Sequence, residues 1–224
     1  MCSRFTISTS PEALIEEFEA TLVDPPIAPS WNVAPTDEAP VVIESREGER
    51  RLMHARFGFI PHWAKSAREG VKMLNARVET VGEKPAFARA FSKFRCVVAA
   101  DGFYEWLREG KAKLPHRFHL PDGAPFGMAA LWSVWDSPEG EKVRSFTILT
   151  REAVGAVRTI HDRMPIVLPR ESYGAWLARE EFPRDVLEAM LEAHRGEELV
   201  GDRVSTAVND VRNDDPSLIE PVSA

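Results

Sequence analysis

FRCVVAADGFYEWL, residues 94 to 107, is the longest of seven short apolar or alternating runs whose reading decides the fold. The others are PVVIE (40 to 44), RLMHARFGFI (51 to 60), HRFHL (116 to 120), FGMAALWSVW (126 to 135), SFTILT (145 to 150) and MPIVL (164 to 168). Gly, Pro and Asp separate them at short intervals, the punctuation of a mostly antiparallel sheet curling towards a barrel. Helices are expected outside this strand-rich core. Ser10-Pro11 reads as an N-cap followed by proline at the first helical position, with Leu14, Ile15, Phe18 and Leu22 on one face. Near the other end Tyr173, Trp176 and Leu177 mark one helix, and Val186, Leu187, Met190 and Leu191 another, for which Gly196 suits the C-cap. The expectation is an α+β fold, a barrel-like sheet with peripheral helices, forming one domain over residues 1–224.

Length and composition narrow the class. At 224 residues the chain can bury a large core without staples. Its two cysteines, Cys2 and Cys96, are far apart in sequence, and Cys96 lies in an apolar strand, so no disulfide framework is expected and the compartment is reducing. No leader pattern and no apolar run long enough to span a bilayer is visible, so a soluble, cytoplasmic protein with no membrane partner is expected. The net charge of −7 hides an asymmetry. From Arg170 onward thirteen acids face six bases, whereas between Arg50 and Arg117 fifteen bases face six acids. That basic middle segment suits either a solvated surface or an anion-binding face.

Polar residues in strand-like places mark the candidate chemistry. In LNARVET (74 to 80) an extended backbone aims Asn75 and Arg77 at one face, where Asn75 could hold a carbonyl or thiol and Arg77 could fork onto a phosphate. In DGFYEW (101 to 106) alternation puts Phe103 and Glu105 on one face. If that face is inward, desolvation raises the Glu105 pKa and fits it for general acid work. TIHDRMP (159 to 165) supplies His161, the side chain that titrates nearest neutrality. His161 and Asp162, adjacent on an extended strand, are expected to point apart and form no dyad. His116 and His119 lack the further ligands of a tetrahedral site, so no metal is expected. No phosphate-binding or dinucleotide loop implies a cofactor. Trp63, in FGFIPHWA (57 to 64), is either core or an exposed stacking platform.

The second residue raises its own possibility. Trimming of Met1 leaves a thiol and a free α-amine on Cys2, a pair that condenses with an aldehyde to a five-membered thiazolidine. Penultimate residues are commonly frayed and inert, so Cys2 carries weight only in company.

That company is present. MCSRF, WNVAPT (31 to 36), FGFIPHWA, LNARVET, DGFYEW, IHDRMP and the tail VSTAVNDVRNDDPSLIEPV (204 to 222) together resemble, in order and spacing, the SOS response-associated peptidase (SRAP) family. The resemblance runs from Met1 to about Val222. It implies covalent capture of abasic sites in single-stranded DNA, through a thiazolidine formed by the N-terminal cysteine with the ring-opened sugar aldehyde. By position it implies Cys2 as nucleophile, Asn75 as the orienting group, and Glu105 and His161 as proton carriers. It further implies Arg4 and Arg77 as phosphate holders, Asn32 and Pro35 as channel lining, Trp63 in a base-contacting loop and Thr150 as a neighbour of the site. A monomer acting on chromosomal DNA, with no cofactor, is expected. Ser3 stands where the family usually has glycine, which would strain the backbone if φ were positive there. Phe57 replaces a usual tryptophan. An N-terminal-nucleophile hydrolase and a non-catalytic single-strand binder are the alternatives.

Overall fold

The chain begins with β1 (Phe5–Ile7), α1 (Pro11–Phe18), β2 (Thr21–Leu22), β3 (Ser30–Val33), β4 (Glu38–Glu44) and β5 (Arg50–Phe57). A 3₁₀ turn over Ala67–Lys72 leads into β6 (Asn75–Arg77), α2 (Val78–Val81), α3 (Ala88–Lys93), β7 (Arg95–Ala100), β8 (Gly102–Glu109) and β9 (Ala112–His119). Next come β10 (Phe126–Asp136), β11 (Lys142–Glu152), α4 (Gly155–Arg158), β12 (Arg163–Pro165) and β13 (Val167–Leu168). Helices α5 (Tyr173–Leu177) and α6 (Arg184–Glu192) precede β14 (Val200–Arg203) and a tail of two 3₁₀ turns. The computed structural model describes residues 2–26, 28–192, 196 and 198–222.

The expected α+β architecture is present. Five strands in the order β11-β10-β7-β4-β5 form a ring that closes where β5 pairs in parallel with β11, Arg56 opposite Ser145 and Phe57 opposite Phe146. The other pairings around the ring are antiparallel. A second sheet, ordered β14-β9-β8-β1-β3, stands against it. Residues 94 to 107 cross from one to the other, for the run divides at Asp101 into β7 of the barrel and β8 of the second sheet. Gly102 at the crossing leaves room for the Arg117 guanidinium, whose Nε would lie 2.6 Å from a Cβ there. Both sheets share one hydrophobic cluster. In it Phe57 stacks on Phe146 at 5.1 Å and Phe5 meets Phe57 edge-on at 5.5 Å, so phenylalanine at position 57 fills its place in the core.

Several expected elements are shortened. The strand expected over 51 to 60 stops at Phe57, because Gly58 has φ 122° and lies against Gly70. LNARVET is extended only to Arg77 and then turns into α2. MPIVL forms two short strands split at Ile166. Ser10 caps α1 by accepting the Ala13 N–H, as the sequence suggests. Gly196 has φ 62°, while the residues joining it to α6 lie outside the described set. Two members of the basic segment are structural rather than superficial. Arg95 is buried and donates to the carbonyls of Phe91, Ser92, Trp176, Ala178 and Glu180, tying the ends of α3 and α5 to the barrel. Arg117 is the other.

Asp101 is 2% exposed and collects the amino-terminal strand. Its carboxylate accepts from the Thr6 hydroxyl (2.5 Å), the Ser8 N–H (2.6 Å) and hydroxyl (2.8 Å), and the Thr9 N–H (3.0 Å) and hydroxyl (3.1 Å). Arg117 Nη2 donates to the Asp101 carbonyl at 2.8 Å and lies 3.4 Å from the carboxylate. Removing one side of a buried pair leaves the other uncompensated. Asp101→Ala is therefore expected to cost about 3–5 kcal/mol in urea unfolding, and Asp101→Leu with Arg117→Met to recover part of it. A loss below about 1 kcal/mol for the single change would remove this anchor from the account.

Candidate active site and nucleic-acid interface

The antiparallel register of β1 on β8 sets Phe5 opposite Phe103. Continued backwards, it sets Arg4 alongside Tyr104, whose N–H donates to the Arg4 carbonyl at 3.0 Å, and Ser3 alongside Glu105; Cys2, outside the strand, lies near enough for the Glu105 charge to act on its thiol. Cys2 is completely buried, its thiol 3.7 Å from the Arg4 carbonyl. Burial first, and the Glu105 charge second, push the thiol pKa well above its ordinary value. Ser3 is not among the described non-glycine residues with positive φ, which are Glu19 and Thr36, so serine imposes no left-handed strain next to Cys2.

Glu105 shares an inward face with Phe103, as alternation suggests. It is 2% exposed, and desolvation raises its pKa to about 7, partly offset by the positive amino terminus. His161 Nε2 lies 3.9 Å from Glu105 Oε2. Burial and the amino-terminal charge lower the His161 pKa, which favours the neutral ring near pH 7. The expectation that His161 and Asp162 point apart is corrected. Both lie in the loop before β12 rather than on an extended strand, and Asp162 Oδ1 is 3.0 Å from Nδ1.

Strand β11 brings the remaining pieces together. Its final residues carry β6 on one edge, with Asn75 opposite Ile148 and Arg77 opposite Thr150, and β12 on the other. Asn75 Nδ2 donates to the Cys2 carbonyl at 2.8 Å, while its buried Oδ1 has no hydrogen-bond partner among the described residues. Arg77 is exposed and lines, with Arg158, His161, Asp162 and Arg163, an open groove of about 560 Å³.

Other expected contacts are placed differently. Asn32 does not line a channel: it is 2% exposed, accepts from Arg4 Nη1 at 2.7 Å and donates to the Asn213 carbonyl at 2.7 Å. It presents Arg4, which also donates to the Val208 carbonyl at 2.9 Å. Burial lowers the Arg4 pKa. Thr150 offers no side-chain surface either. It is fully buried, its hydroxyl faces the Ala76 carbonyl at 3.5 Å and its own carbonyl accepts from Arg163. Pro35 is half-buried, in a turn that ends on left-handed Thr36 (φ 83°). Trp63 is 54% exposed, on the loop after β5.

One arrangement was not legible. Arg163 forks onto both Glu79 oxygens at 2.6 and 2.9 Å and reaches the Thr150 carbonyl at 2.7 Å. It pins the His161 loop to the helix that follows Asn75 and Arg77. The only sequence signal was the charge pair itself, 84 residues apart. Among the described residues no group of three or more His, Cys, Asp or Glu side chains could hold a metal, and no helix is long and apolar enough to cross a membrane.

The chain is 37% identical over 223 residues to abasic site processing protein YoqW of Bacillus subtilis, covering 98% of this chain and 99% of that one. It is 31% identical over 228 residues to abasic site processing protein YedK of Escherichia coli, covering 99% and 100%. A crystal structure of a Bacteroides thetaiotaomicron protein, 22% identical, shares the fold with a TM-score of 0.83 over 99% of this chain and 100% of that one. With the family model "SOS response associated peptidase (SRAP)" matching residues 1–211, the chain belongs to the SRAP family.

Proposed function

We propose that this chain senses abasic sites in single-stranded DNA and captures them covalently as a thiazolidine on Cys2, after loss of Met1. The observation that carries this reading is the convergence on Cys2 of an Asn75 hydrogen bond and a carboxyl poised at about pKa 7. An abasic sugar is mostly a closed hemiacetal, so opening needs a proton on the ring oxygen and removal of one from the anomeric hydroxyl. Glu105 and His161 carry those protons. The α-amine of Cys2, with an ordinary pKa of about 7.8, then attacks the aldehyde carbon, and water leaves to give an iminium. The thiol adds to that carbon, its proton passing to the Glu105 carboxylate, and the ring closes with a net loss of one water. Asn75 Oδ1 is the acceptor that would orient the amine, and proximity supplies the effective molarity.

The raised thiol pKa disfavours the rival N-terminal-nucleophile hydrolase, which needs a thiolate to attack first. A non-catalytic single-strand binder leaves the burial of Cys2 against Glu105 without a purpose. Arg77 and Arg4 hold phosphates, Trp63 stacks on bases and Pro35 lines the approach. Residues 1–224 act as one domain, as a monomer, in the cytoplasm and on chromosomal DNA.

Intact mass is the direct test. Protein incubated with an abasic single strand should gain the oligonucleotide minus one water, on a chain lacking Met1. An adduct of equal yield on a chain that retains Met1 would end the thiazolidine reading. Binding before crosslinking should weaken with salt, and Arg77→Ala should lower affinity for single strands with little sequence dependence. Salt-independent binding contradicts it.

The pH profile tests Glu105. The rate should rise as the amine loses its proton near about 7.8 and fall as Glu105 loses its own above about 7, giving a bell. Glu105→Gln should remove the falling limb and lower the peak by about 10²-fold. Stability supplies an independent sign. A carboxyl whose folded pKa is raised stabilises the fold below its unfolded pKa and loses that contribution as pH rises through about 7. Glu105→Gln should therefore gain in melting temperature relative to wild type between pH 5 and pH 8. A pH-independent difference would mean that Glu105 does not titrate in this range.

A further inference from the structure

Away from the groove that leads to His161, the loop carrying Trp63 forms a second concavity with α3 and β10. Its volume is about 150 Å³, and its walls include Phe59, Trp63, Ala86, Arg89, Phe94 and Trp132. A cavity of that volume with apolar walls is large enough for one aromatic ring. The walls are ordered by ring packing, Phe94 standing edge-on to Trp132 at 5.9 Å with a 90° interplanar angle. The Arg89 guanidinium lies over the Phe94 ring, 5.4 Å from its centroid. No carboxylate lines the cavity, and among the described residues none forms an ion pair with Arg89. Lys84, exposed, precedes the lining residue Pro85.

We infer that this cavity is a docking site for an acidic peptide that inserts one aromatic side chain and sets neighbouring carboxylates against Arg89. Charge complementarity selects the anion. On a chain of net charge −7, a local cation with no carboxylate beside it is where an acidic segment can approach without repulsion. The lining selects an apolar side chain over a nucleobase. Of its polar groups, the Ser133 hydroxyl already donates to the Ile60 carbonyl at 2.6 Å and lies 3.0 Å from Ser145 Oγ. An inserted base would find hydrogen-bond partners only in the exposed His62 and Arg89 and would lose its water partners along the rest of its edge. A phenylalanine ring has no such edge. The cavity shares Trp63 with the proposed DNA contacts but none of the residues around Cys2, and a peptide seated there would recruit the protein to another factor.

The test uses a fluorescein-labelled peptide of aspartates ending in phenylalanine, titrated with the full-length protein by fluorescence anisotropy. Saturable binding is expected, weakened about 10-fold or more when the terminal Phe is replaced by Ala. Arg89→Glu, on the exposed side of α3, and Ala86→Phe, which fills the cavity, should each lower affinity at least 10-fold with melting temperature and crosslinking unchanged. If Ala86→Phe unfolds the protein, Arg89→Glu together with the Phe-to-Ala peptide still decides the matter. No saturable binding, or equal affinity for all variants, overturns the proposal. So does a short oligothymidine that quenches tryptophan fluorescence in wild type and not in these variants while the peptide does not bind, because the cavity is then a base site.

Discussion

The Asp101 carboxylate holds the first strand in the middle of a sheet. A three-residue strand has few backbone hydrogen bonds of its own to hold it in place. Here β1 lies between β3 and β8, and Thr6 within it and Ser8 and Thr9 just after it all donate to one buried acid. The acid is in turn matched to Arg117 from β9. Everything upstream inherits that placement. Arg4 runs alongside Tyr104, Cys2 comes within reach of the Glu105 charge, and Asn75 finds the Cys2 carbonyl within hydrogen-bond distance. If β1 slipped by one residue, alternation would turn its side chains to the opposite faces, and Asp101 would face different donors.

Given that placement, burial sets the protonation states at neutral pH. The same desolvation acts on groups of different charge type. It raises the thiol of Cys2 and the carboxyl of Glu105, because their charged forms are anions, and it lowers the imidazole of His161, because its charged form is a cation. The result is a protonated thiol, a half-titrated carboxyl and a neutral ring within one small volume. Neighbouring groups whose pKa values are pushed apart or towards neutrality are the usual mark of assigned acid and base roles. The arrangement depends on little side-chain machinery of its own. One hydrogen bond from Asn75 and one fork from Arg163 to Glu79 fix the surrounding backbone.

Much of this was legible in the sequence, and the reasons divide cleanly. Alternation in DGFYEW needs only local information, so the inward face of Glu105 follows from Phe103. The N-cap at Ser10 is equally local. The ring closure of β5 on β11 pairs residues some 89 positions apart, and no periodicity announces it. The same holds for the Arg163–Glu79 fork and for Asp101, where a lone aspartate in a strand-rich stretch reads as a turn residue. Asn32 and Thr150 mark the opposite limit. Their positions are given by the motifs, but whether a polar side chain faces outward or supports a neighbour depends on tertiary burial. Both proved to be buried supports, Asn32 for Arg4 and Thr150 for Arg163 through its carbonyl.

The complete burial of the thiol bears on the order of bond formation under the proposed chemistry. A protonated thiol in a closed site is a poor first nucleophile, and the same burial shields it from oxidants and stray electrophiles in the absence of DNA. Under that chemistry the amine leads, since a primary amine is nucleophilic in its neutral form while the buried thiol stays protonated. Once the iminium exists, the reacting carbon is a cationic centre held next to the sulfur, and Glu105 is half ionised and able to accept the thiol proton. In the proposed reaction, the burial that keeps the Cys2 thiol protonated would therefore make its addition conditional on a bound aldehyde, with selectivity set by the order of steps.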